Sequence, residues 1–166
     1  MVRKMNELSI RLFQPKDAEA VSRLIVHTLR TTNRKDYSPE YIEADAAKFT
    51  PADVLVRASW THFYVACAGR EIIGCGAIGP YWGKEDESSL FNIFVHPDWQ
   101  GKGVGRRIVE TLEQDDYFLR AKRIEIPASV TGCEFYRKMG YDFKNGVAAV
   151  DEEQLFRLEK HRGARI

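Results

Sequence analysis

The sequence is short of the residues that would staple or metallate it. It has three cysteines, Cys67, Cys75 and Cys133, an odd number at spacings that fit no metal pattern. A disulfide framework is not expected in a domain of this size. None of the four histidines (His27, His62, His96, His161) stands in a His-x-x-x-His pair, so no metal site is expected. Charge of one sign is lacking too: 25 basic residues face 24 acidic ones. Net charge therefore supplies no attraction to nucleic acid or a membrane. No apolar stretch approaches the ~20 residues that span a bilayer, and no basic start leads into an apolar run. A soluble cytoplasmic protein is the expectation. There is no repeat, low-complexity tract or linker, so residues 1–166 read as one domain.

What is present is ordered hydrophobic periodicity. Residues 9–13 alternate as a first strand. Pro15 and Asp17 open a helix to about Arg30, with Val21, Leu24, Ile25 and Leu29 on one face. Ser38-Pro39-Glu40 and Thr50-Pro51-Ala52-Asp53 are two further helix starts. Residues 62–68 and 71–78 form a hairpin around Gly69-Arg70, and residues 90–95 form a strand reaching back to about Glu87. A helix is expected from Gly103 to about Leu119, and a short buried strand over 123–127. Thr131-Gly132-Cys133-Glu134 reads as a capping box opening a helix that stops at Gly140. Residues 143–150 and 154–159 are the final strands. This order implies an α/β domain on a mixed sheet of about seven strands with helices on both sides.

The segment with the most chemistry is Gln100-Gly101-Lys102-Gly103-Val104-Gly105-Arg106-Arg107, between a strand and a helix. Glycine lets a ligand approach the main chain. The first helical turn leaves N–H groups free, and its dipole favours an anion. A diphosphate suits the loop, although a plain glycine turn would look the same. A nucleotide P-loop is excluded, because no Gly-Lys-Ser/Thr occurs at the required spacing. A dinucleotide site is a closer imitator, since Glu125 lies where a ribose-binding acid would fall. However, the glycine spacing differs, and too little chain follows for the rest of a doubly wound sheet.

Gln100-x-x-Gly103-x-Gly105, preceded by Val95-His96-Pro97, resembles the acetyl-CoA signature of the GNAT N-acetyltransferase superfamily. Further along, Phe135-Tyr136-Arg137-Lys138-Met139-Gly140-Tyr141 resembles that family's second motif. The resemblance implies a mostly antiparallel sheet with one splayed parallel strand pair, here 90–95 and 123–127. It implies acetyl-CoA as cofactor, with its pantetheine arm on the main chain of Ile93, Phe94 and Val95. The diphosphate would lie on Gln100, Gly101, Lys102, Gly103, Val104, Gly105 and Arg106. Ser129 stands where many members carry a pantetheine-binding asparagine.

The implied reaction is acetyl transfer to a primary amine of a small molecule or peptide. Tyr136 matches the tyrosine that protonates the departing thiolate, and a free phenol with a pKa near ~10 holds its proton at neutral pH. The family's glutamate base falls on Ser89 here. Glu87, two residues earlier on the same strand face, is the substitute candidate, against its being part of an acidic surface turn, 84–87. His62, His27 and Glu125 are weaker candidates. Cys133 near the thioester suggests a covalent route only against the commoner reading of a small buried cysteine. Tyr81, Trp82 and Trp99 read either as aromatics around the substrate mouth or as loop anchors. The alternative function is an acyl-CoA-binding module without turnover. Exposed final strands leave room for a homodimer.

Overall fold

A computed structural model describes residues 7–163, so the two ends of the expected 1–166 domain lie outside the described residues. Strand β1 (Leu8–Leu12) leads through a 3-10 turn at Pro15–Asp17 into helix α1 (Ala18–Thr31). Helices α2 (Pro39–Ala46) and α3 (Pro51–Trp60) follow. Their starts obey the sequence. The Ser38 hydroxyl accepts from the Tyr41 N–H at 3.1 Å, and Thr50 with Asp53 forms a reciprocal capping box. Strands β2 (His62–Ala68), β3 (Glu71–Tyr81) and β4 (Lys84–Val95) form a meander. Then come α4 (Val104–Leu112), α5 (Asp116–Leu119), β5 (Arg123–Ser129), α6 (Cys133–Lys138), β6 (Asp142–Phe143) and β7 (Leu155–His161).

The seven strands form one sheet in the order β1-β2-β3-β4-β5-β7-β6. All neighbours are antiparallel except β4 and β5. The expected mixed sheet with a single parallel pair is thus present. Its two faces bury separate cores. On one face, α1 buries Val21, Leu24, Ile25 and Leu29 with Ile42, Val54, Val65 and Ala77. On the other, α4 buries Val104, Ile108, Val109 and Leu112 with Ile73, Leu90, Ile124 and Leu158. Each buried valine, leucine or isoleucine side chain contributes about 1.5–3 kcal/mol. Among the described residues no helix is long and apolar enough to cross a membrane.

Four local expectations are corrected. The helix expected from Gly103 to Leu119 breaks after Leu112. The buried Asp115 carboxylate caps α5 through the Tyr117 N–H at 2.8 Å, accepts the Tyr64 hydroxyl at 2.6 Å, and lies 2.8 Å from His62 Nδ1. Those tertiary partners outweigh one more helical turn. The acidic surface turn at 84–87 is instead the first part of β4. The turn is Trp82-Gly83, with φ of 46° and 77°, the left-handed pair of a tight hairpin. Residues 143–150 form no long strand: after Phe143 the chain turns at Asn145 and Gly146, with φ of 55° and 73°, and only Val150 bridges to Phe156. Thr131 does not cap α6, because its hydroxyl donates to Asp36 at 2.7 Å and Gly132 takes the capping position.

Candidate active site

The parallel pair touches over three positions only: Glu87 with Arg123, Ser88 with Ile124, and Ser89 with Glu125. Beyond Ser89 the strands separate, and each has a local reason to leave. In β4 one extra residue is inserted opposite β3, since Cys75 pairs with Phe94 but Ala77 pairs with Phe91. This bulge is centred on Asn92, whose φ is 54°, and the Cys75 thiol donates to the Asn92 carbonyl at 3.1 Å. A bulge bends and twists its strand. In β5, Pro127 has no N–H to offer. The result is a cleft of about 1320 Å3, lined by residues of both strands beyond the point where they part.

One end of the cleft is the glycine loop. Gly101 and Gly103 have φ of 73° and 84°, and a Cβ on either would meet open space. Glycine is needed there for the left-handed backbone, and that backbone turns amides outward. The first main-chain bond of α4 runs from the Arg107 N–H to the Gly103 carbonyl at 3.1 Å. Among the described residues, the N–H groups of Gly101 through Arg106 donate to no other group. They form a continuous row of free donors at a helix start, an anion cradle.

The middle of the cleft is walled by Tyr136 from α6. The ring packs edge-on against Phe135, with centroids 5.2 Å apart, and lies over Gly132, where a Cβ would stand 3.0 Å from it. Tyr136 is 7% exposed, yet among the described residues its hydroxyl makes no hydrogen bond. Burial pushes the phenol well above its ordinary range, so it is protonated at every physiological pH. A proton donor therefore lines the cleft with no competing partner.

The Acetyltransferase (GNAT) domain profile matches residues 59–142, just over half of the chain and both strands of the splay. The chain belongs to the GNAT acetyltransferase family. Solved structures agree on the fold of this GNAT domain. PaiA N-acetyltransferase from Thermoplasma acidophilum, solved with coenzyme A, has a TM-score of 0.78 at 21% identity, covering 93% of this chain and 98% of that one. A GCN5-related N-acetyltransferase from Rhodopseudomonas palustris gives 0.76 at 24% identity, covering 97% and 98%. A putative GNAT acetyltransferase from Desulfovibrio desulfuricans gives 0.71 at 18% identity, covering 94% and 99%. No curated protein matches the chain.

The GNAT domain brings most of the expected residues together. Ile93, Phe94, Val95, Gln100, Gly101, Gly103, Val104, Gly105, Arg106, Ser129 and Tyr136 all line the cleft. Lys102 does not: its ammonium lies 5.3 Å from the Trp99 ring centroid. The Gln100 side chain braces the loop, donating to the Val95 carbonyl at 2.9 Å and to Thr32 Oγ1 at 3.1 Å. The Ser129 hydroxyl accepts from the Gly132 N–H at 3.0 Å, so it shapes the turn into α6. Gly105 has a different reason from its two neighbours. It is helical, and a Cβ there would press on Phe135 at 3.2 Å.

Glu87 lies outside the cleft wall. One carboxylate oxygen accepts from Arg123 Nε at 2.8 Å and the other from Lys84 Nζ at 3.1 Å. The Arg123 guanidinium holds this carboxyl below its ordinary range, the wrong direction for a base at neutral pH. Arg123 also contacts Glu125 at 3.1 Å and Glu159 at 2.9 Å, and Lys144 reaches Glu125 at 2.7 Å. This network locks the root of the splay. His62 is held by Asp115, and His27 packs on His96 with centroids 5.1 Å apart; neither lines the cleft. Burial raises the Cys133 thiol, leaving it a poor nucleophile. Trp99 is a buried loop anchor, whereas Trp82 is 84% exposed at the cleft mouth.

Two tyrosines of the segment 31–41, which follows the first helix and is expected to frame the acceptor pocket, line the cleft. Tyr37 accepts the Val130 N–H at 2.8 Å and donates to the Gln154 carbonyl at 2.9 Å, tying the 129–132 turn to the start of β7. Tyr41 stacks on it at 4.3 Å and donates to the Glu153 carbonyl at 2.8 Å.

Proposed function

We propose that this GNAT domain transfers the acetyl group of acetyl-CoA directly to a primary amine of a small molecule or peptide. The observation that carries the reading is the run of free N–H groups from Gly101 to Arg106, leading into a gap between parallel strands. Such a run suits a diphosphate better than any neutral ligand. The edge of β4 at Ile93–Val95 has lost β5 as a partner, so a linear chain bearing amides can pair with it as an added strand would.

Acetyl-CoA would supply an acyl group already activated as a thioester. The chain's own part is to hold that group, exclude water and place a proton. Tyr136 keeps its proton at Oη and faces the cleft, which fits it to protonate the leaving sulfur. Glu87, the other catalytic candidate, is better suited to holding the strands through Arg123 than to taking the amine's proton. The test is thiol release from acetyl-CoA against a panel of amines, beside coenzyme A-dependent thermal stabilisation. Release with N-acetylated product supports the reading. Stabilisation without release on any amine would replace it with a binding module.

A further inference from the structure

The charges in the cleft wall mostly answer one another. Glu125 meets Arg123 and Lys144, Arg157 meets Asp151 at 2.6 Å, and Arg106 approaches Glu110 at 3.8 Å. Lys48, Lys138 and Glu152 are exposed. Two half-buried charges of opposite sign remain, Arg57 on α3 and Asp45 on α2. Among the described residues neither side chain has a hydrogen bond or an ion pair, and they do not pair with each other; the exposed Lys48 acts on Asp45 only through space, and burial still raises that carboxyl.

Arg57 is placed rather than loose. Its guanidinium lies 4.3 Å from the ring centroid of Phe91 and 5.1 Å from that of Trp60. Rings can hold the plane of a guanidinium but cannot use its N–H donors. Those donors keep access to the cleft, since no buried side-chain nitrogen or oxygen among the described residues lacks a partner. Phe91 immediately precedes the bulge at Asn92, so Arg57 sits beside the point where the strands part. Removing a guanidinium from water without a counter-ion is costly, and burial lowers its proton affinity while raising that of the Asp45 carboxyl. A ligand that answers both charges relieves both costs.

We infer that the acceptor carries a carboxylate as well as its amine, as an amino acid or a short peptide does. Arg57 takes the carboxylate in bidentate fashion and Asp45 faces the ammonium. One negative and one positive group on the acceptor match one positive and one negative side chain in the wall. A phosphate dianion would leave excess charge facing Asp45. The inference rests on the proposed acetyl transfer and names its substrate class.

The experiment compares free amino acids and dipeptides with their carboxamides, with alkylamines lacking the acid, and with amines bearing a phosphate. Thiol release from acetyl-CoA is the readout. The acids are expected to lead in kcat/KM by at least about tenfold. Arg57→Met keeps the packed stem and is expected to lose roughly ten- to hundredfold on the acids. Its rates on carboxamides and its coenzyme A binding stay within about twofold, and Arg57→Lys recovers part of the loss. Equal use of acids and carboxamides by the unaltered protein overturns the inference whether or not the variants fold, and so does a preference for phosphates. If no amine of any set is acetylated although coenzyme A stabilises the fold, acetyl transfer itself fails and takes the inference with it.

Discussion

A Cβ on Gly105 would stand 3.2 Å from Cζ of Phe135. The third glycine of the loop and the aromatic of the second motif are thus one packing decision. Helix α4 can bring its free N–H groups to the cleft only if α6 lies close beside it with Tyr136 in place. Gly105 removes the atom that would hold the helices apart.

The glycines should therefore respond differently to substitution. Gly103→Ala puts a side chain on a left-handed residue with φ of 84° and is expected to cost about 1–2 kcal/mol. Gly105→Ala must move the Phe135 ring by a few tenths of an ångström, but it gains about 1 kcal/mol of helix propensity. Its net cost is expected to stay below that of Gly103→Ala. Denaturant unfolding of both variants checks the order, and a reversed order would break this account of the loop.

Tyr136→Phe removes an unpartnered hydroxyl and little packing. We expect kcat to fall about 100-fold or more, with coenzyme A affinity within about twofold. An unchanged kcat on a confirmed acceptor would remove the tyrosine from the chemistry.

Glu87→Gln should act on stability rather than on proton transfer. It weakens a charge-assisted bond to Arg123, which keeps Glu125 and Glu159, so a loss of about 1–2 kcal/mol is expected. The pH–rate profile should keep its shape. A lost or displaced acidic limb would restore Glu87 as the base.

Stability should fall at both extremes of pH. At the acid end, Arg11 holds Asp17 below its ordinary range through contacts of 2.8 and 3.0 Å, and Arg123 does the same for Glu87. Groups depressed in the fold contribute stability present above their unfolded values near ~4, and it is lost as pH falls through the folded ones. At the alkaline end, burial raises the phenols of Tyr136 and Tyr141. Their contribution is complete below the unfolded value near ~10 and declines above it. Urea midpoints should be flat between about pH 5 and 9 and fall on either side. A midpoint still rising at pH 11 would contradict the burial of these phenols.

Much of this arrangement was legible in the chain. The helix starts at Ser38 and Thr50, the hairpin around Gly69 and the loop at 101–105 depend on neighbours within a few residues, and local rules cover that range. The splayed pair was legible through the resemblance of the two motifs. The break at Asp115 was not, because its reason is His62 and Tyr64, about fifty positions earlier on β2. Glu87 looked like a free acid because the sequence does not show that Arg123 lies beside it in the parallel register.

By itself, the sequence determined that a glycine loop would lead into a helix start at residues 100–106, and that a phenylalanine-tyrosine pair would lie on a later helix. Glycine dihedrals and helix ends are properties of a few consecutive residues. Only the tertiary structure decided which charges are free. Glu87 is neutralised by Arg123 of the neighbouring strand, Glu125 by Arg123 and Lys144, and Arg157 by Asp151, whereas among the described residues Arg57 and Asp45 make no ion pair. An ionic side chain becomes available to a ligand by what fails to approach it, and that depends on the folding of the whole chain.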